Sequence, residues 1–158
     1  MLATLLLAVA LDVTSVWEFV EHLTGIHKPP PVIKIGAFDG SIPKHTLAWF
    51  YEGTYLIQIS PEAIARDSRV VREPYEHTVL RGFVYMSLAH EMAHYAWDGR
   101  LPLAYHHCFF EHRGYPEATA QFLVDKGLAP QSLLLPRADL TLTSGCEAEP
   151  TRSSPPPP

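Results

Sequence analysis

Apolar residues recur along the start of the chain at Leu2, Leu5, Leu6, Val9, Val13, Val16, Trp17, Val20 and Leu23. That is one face of an α-helix, and Gly25 supplies its stop. Pro29-Pro30-Pro31 cannot continue a helix and forces an extended connection. The pattern then changes to short β-prone runs: Val32 to Ala37, leading into an Asp39-Gly40 turn, then Leu47 to Tyr51 and Thr54 to Ile59. Only Glu52-Gly53 separates the last two, which predicts a hairpin. Ser60-Pro61-Glu62 reads as a helix start, with a hydroxyl cap, proline at the first helical position and an acid near the positive end. A brief helix over 62–66 follows. Pro74 can open a third helix, which should run to about Trp97 and end at Gly99. The stretch from Arg100 to Gly114, rich in histidine and aromatics, reads as a loop. A last helix begins near Pro116 and ends at Gly127.

Beyond Pro136 the pattern is lost. The chain becomes polar and closes on Ser153-Ser154 and four prolines, a composition that buries too little to offset its ordering entropy. The expected organisation is one α+β domain over residues 1–135, followed by a disordered tail over 136–158. With 47% hydrophobic residues, the chain can build a core without staples. The net charge of -5, with no basic stripe, argues against nucleic acid as a partner.

The apolar start also has to be weighed as a secretion signal, because Ala8-Val9-Ala10 resembles a cleavage site. No Lys or Arg precedes the run, and the helical spacing continues past it, which favours a core helix and a cytoplasmic location. The run is too short to span a bilayer. Cys108 and Cys146 are the two cysteines. A disulfide is not implied, and Cys108 is expected to be a small buried thiol.

The chemistry is concentrated in His90-Glu91-Met92-Ala93-His94, an H-E-x-x-H pattern inside the apolar run Val79, Leu80, Phe83, Val84, Leu88 and Met92. Residues four apart lie on the same helix face, so both imidazoles can reach one zinc ion. Glu91 is turned about 100 degrees from His90, which puts its carboxylate beside the ion as a general base. Two histidines and an acid on a buried helix are costly unless something satisfies them, and a metal does.

Catalytic zinc takes three protein ligands as a rule. An immediate metzincin continuation is excluded, because Trp97 and Arg100 stand where that pattern needs Gly and His. The downstream candidates are Asp98, His106, His107, Glu111, His112 and Glu117. Glu117 is favoured: it sits on the first turn of the last helix, and the small Ala118 and Ala120 let that helix come close to the metal helix. Tyr115 and His112 are candidate electrophiles whose plainer role is packing the loop. Trp49, Phe50, Tyr51 and Tyr55 are candidate cleft residues whose plainer role is core.

The order of these elements, with Leu88-Ala89-His90-Glu91-Met92-Ala93-His94 and Glu117-Ala118-Thr119-Ala120-Gln121-Phe122-Leu123, resembles the gluzincin clan of zinc metallopeptidases in its smallest single-domain form. The resemblance implies a minimal zincin-like fold made of an N-terminal helix, a small sheet with a hairpin, the H-E-x-x-H helix and a C-terminal glutamate helix. It implies one zinc ion held by His90, His94 and Glu117, Glu91 as base, and a peptide or protein substrate. A rival resemblance is to SprT-like proteases, with His106 or His107 as the third ligand followed by Phe109 and Phe110. A third reading is a zinc-stabilised binding module without turnover.

Overall fold

The computed structural model describes residues 11–44, 46–66 and 77–134. The N-terminal ten residues, Pro74 as the expected start of the third helix, and the expected tail lie outside them. Among the described residues five α-helices accompany a three-stranded sheet, a mixed α+β arrangement. No described helix is long and apolar enough to cross a membrane.

Helix α1, Val13–Thr24, buries Val16, Trp17 and Val20, three positions of the stripe read from the sequence. Asp12 caps it by accepting from the Ser15 amide, and Gly25 ends it at φ 69°, a left-handed conformation that suits glycine. The sheet consists of β1 (Val32–Ile35), β2 (Ala48–Phe50) and β3 (Leu56–Ile59). Its order is β1-β3-β2, with β1 parallel to the central β3 and β2 antiparallel to it. The expected hairpin is therefore present as β2–β3, turning at Gly53 with φ 73°. The expected first strand is shorter than its apolar run, because Gly36 turns away after a last amide bond to the Ile59 carbonyl. Helix α2, Pro61–Arg66, starts where the Ser60 hydroxyl accepts from the Ala63 amide.

The central element is α3, His77–Trp97, which packs against α1, β2, β3 and every later helix. Its second half is enclosed nearly all round: Val84, Tyr85, Leu88, Ala89, Met92, Ala93, Tyr95, Ala96 and Trp97 are all buried. The helix stops at Trp97, and Gly99 follows at φ 74°, as the sequence suggests. Glycine at position 82 reflects crowding, since a Cβ there would lie 3.1 Å from the Ala129 Cβ.

The stretch read as a loop over 100–114 is instead mostly helix, α4, Leu103–His112. Counting histidine as polar hid its pattern. His106 is 1% exposed and Phe110 7%, so the buried face is formed by positions 106 and 110, with Phe109 packed partly against the core. Pro102 at the N-cap was the local signal for the start. A second correction concerns Cys108, which is disulfide-bonded rather than a free thiol. Helix α5, Tyr115–Asp125, follows as expected, and a 3-10 turn over Gln131–Leu134 closes the described chain.

Candidate metal centre

His90 and His94 sit one turn apart on α3, and α4 crosses that face so that His107 completes a group of three. The ligand atoms of His90, His94 and His107 all lie within 4.8 Å of one another. The Nε2 of His94 is 3.1 Å from the Nε2 of His90 and 3.0 Å from the Nε2 of His107. Zinc–nitrogen bonds of about 2.0–2.1 Å in a tetrahedral set place ligand nitrogens about 3.3 Å apart, close to the two separations measured from His94, while His90 and His107 are within 4.8 Å of each other.

The rings are held by packing. Phe110 meets the His90 ring edge-on at 4.8 Å, and Trp97 lies 5.6 Å from the His106 ring. Trp97 also stacks on Tyr115 at 5.6 Å, which brings α3, α4 and α5 together under the site. His94 is 8% exposed, whereas His107 is exposed, so the cluster has a buried floor and an open side.

Burial also sets the charge state. It pushes His90 down to about 4, helped by the neighbouring His107. It pushes His94 down to about 2, helped by His90, His107 and His106. Both imidazoles are therefore neutral at neutral pH, the form that ligates metal. Burial acts the opposite way on an acid. Glu91 is raised to about 7, partly offset by the hydrogen bond it accepts from the Phe50 amide.

That bond reaches from the helix to the sheet. In the β2–β3 ladder the Tyr51 amide donates to Leu56 and the Ser60 amide to Leu47. By the alternation of antiparallel strands, Ala48 and Phe50 turn their peptide groups away from β3. The Phe50 N–H meets Glu91 Oε2 at 2.8 Å.

The other sequence candidates are placed as follows. Glu117 is exposed on the first turn of α5, outside the three-histidine group, and its Oε2 lies near the Gly114 corner. The residues that bring α5 against the core are Tyr115, Thr119, Ala120 and Leu123, and Glu117 points off that face. His106 is adjacent to the group but turned to the far side of His94, 3.0 Å from its Nδ1. Asp98 accepts from the Gly53 amide. Tyr115 donates its hydroxyl to the Leu23 carbonyl, a packing role. Phe50 is core, Tyr51 bonds Gln58, and Trp49 and Tyr55 are exposed. The His106-His107 pair gave the one sequence signal for the third donor, and its helical setting was what the loop reading missed.

Comparison with protein-family models, with curated proteins and with solved structures found no match.

Proposed function

We propose that the chain is a zinc-dependent hydrolase of peptide bonds, with His90, His94 and His107 as ligands and Glu91 as general base. The observation that carries this reading is the approach of the His90 and His107 Nε2 atoms to that of His94, on the same helix turn that carries Glu91. The histidine set supports the SprT-like form of the resemblance over the gluzincin form, since Glu117 is exposed outside the group.

When bound, the ion polarises the scissile carbonyl and makes water acidic enough to attack at neutral pH. The remaining work falls to the chain. Glu91 Oε2 is anchored by the Phe50 amide, which leaves Oε1 to take the proton from water and pass it to the leaving amine. An extended substrate would approach the outward edge of β2 at the Ala48 peptide groups and the Phe50 carbonyl, since the Phe50 amide is committed to Glu91. The exposed ring of His107 marks the side from which substrate enters.

The test combines elemental analysis of the purified chain with cleavage of a denatured protein mixture, with and without chelator. Stoichiometric zinc with chelator-sensitive cleavage supports the proposal. Bound zinc without such cleavage across pH leaves a metal-stabilised binding module, and a chain that stays empty in excess zinc removes both readings.

A further inference from the structure

His94 is contacted at both ring nitrogens. Its Nε2 faces His90 and His107, and its Nδ1 lies 3.0 Å from the Nδ1 of His106. The Nε2 of His106 in turn lies 2.7 Å from the Leu101 carbonyl oxygen. A carbonyl can only accept, so the nitrogen facing it carries the hydrogen. His106 is 1% exposed, and a second proton would make it a buried cation, an expensive state. His106 is therefore neutral, with Nε2 protonated and Nδ1 bare. A bare Nδ1 must accept, and the only atom of the His94 ring in reach is Nδ1, which must donate. His94 Nε2 is then left with its lone pair, facing the other two ligands.

We infer that His106 is a positioning residue of the metal centre, fixing His94 in the tautomer that ligates through Nε2. The inference rests on the proposed metal site and adds a device to it: a relay from the Leu101 carbonyl through His106 to His94. Metal-bound histidines as a rule donate their second N–H to an acceptor that sets ring and tautomer, and here the acceptor is another imidazole. Local structure explains how. His106 and His107 are consecutive on α4 and so diverge by about 100 degrees, enough to bracket the His94 ring from its two nitrogens. Helical side chains lean toward the N-terminus, which carries the His106 ring back to Leu101, just before the helix begins. The doubled histidine thus divides its labour, with His107 facing the ion site and His106 facing away from it.

Two measurements on the full chain test this. The first is ¹⁵N NMR of the histidine rings in metal-free protein, which distinguishes the tautomers directly. His94 should be the Nδ1–H form and His106 the Nε2–H form; finding His94 as Nε2–H overturns the inference. The second is zinc affinity by chelator competition for His106→Leu and His106→Asn. Leucine removes the acceptor and should weaken zinc binding about 10–100-fold. Asparagine places an amide oxygen near the former Nδ1 and should recover most of that loss. A folded leucine variant with parental affinity, or an asparagine variant no better than leucine, also overturns it. If the leucine variant does not fold, the tautomers of the parent and the asparagine variant still decide. A parent that takes up no zinc defeats the proposed function, while the tautomer pair continues to test this relay on its own.

Discussion

The Phe50 amide and the Glu91 carboxylate are joined by a 2.8 Å hydrogen bond that ties the edge strand β2 to the middle of α3. This bond gives Glu91 a structural task beside its proposed chemical one, and two substitutions separate them. Glu91→Gln keeps an acceptor oxygen for Phe50 and removes only the ability to ionise. It should retain the fold and bind zinc, and lose cleavage by about 10²–10⁴-fold. Glu91→Ala should lose cleavage as well, and also about 1–3 kcal/mol of stability from the unsatisfied amide. Denaturant melts alongside a cleavage assay check both. A glutamine variant that still cleaves at the parental rate would remove Glu91 from the chemistry.

The ligand assignment makes a contrasting pair of predictions for His107 and Glu117. His107→Ala removes one of three converging nitrogens and should weaken zinc binding by at least about 100-fold. Glu117→Ala alters an exposed first-turn acid and should leave zinc affinity unchanged. Its effect should be confined to the helix dipole, about 0.3–1 kcal/mol of stability. Chelator competition on both variants reads the difference. The reverse result would restore the glutamate ligand.

The two sites of agreement and disagreement with the sequence reading have different physical origins. The α3 helix, its Gly99 stop and the His90–His94 pairing were legible because i, i+4 spacing in an apolar run has one geometric meaning. The hairpin was legible from two β-prone runs around Glu52-Gly53. The parallel pairing of β1 with β3 was not, because nothing local in Val32–Ile35 specifies its partner. The helix α4 was hidden because its buried face includes His106, and histidine carries no apolar signal until its partners, Leu101 and His94, are known. For the same reason the third nitrogen was only one of several candidates: residue type and spacing do not say which of two adjacent histidines turns toward the metal helix.

The metal-free protein should lose stability in acid, with a sign set by His90, His94, His106 and Glu91. His90 is lowered to about 4, His94 to about 2, and burial lowers His106 as well, so below pH 6.5 the unfolded chain takes up protons at three histidines that the folded one resists. Their contribution is present above pH 6.5 and is lost as the pH falls. Glu91 is raised to about 7, so between pH 4.5 and 7 the folded chain holds one proton that the unfolded chain has released, and its contribution falls as the pH rises. Between pH 4.5 and 6.5 the three histidines outweigh the single acid, so stability falls on acidification. In Glu91→Gln the opposing group is gone, and the slope in that window should steepen. Urea unfolding in chelator at several pH values measures it. Stability that rises on acidification over this window would contradict the neutral, buried state of the three histidines.

Lys28 should matter to the metal helix from outside the site. Its ammonium donates to the Tyr95 and Asp98 carbonyls, both at 2.8 Å, and lies 4.9 Å from the centre of the Tyr95 ring. Those carbonyls belong to the C-terminal end of α3, where a cation also complements the helix dipole. The Tyr95 hydroxyl donates back to the Pro29 carbonyl, so the connection after α1 and the end of α3 are tied twice. Lys28→Met keeps the apolar stem and removes the donors, and should cost about 1–3 kcal/mol. The loss should appear as faster amide exchange at Asp98, whose N–H closes the last turn onto the His94 carbonyl. Because His90 lies before this turn and the ring contacts of His94 to His106 and His107 lie on α4, zinc affinity should fall less than in His106→Leu. Unchanged stability together with unchanged exchange at Asp98 would show that the proline connection holds the helix end without Lys28.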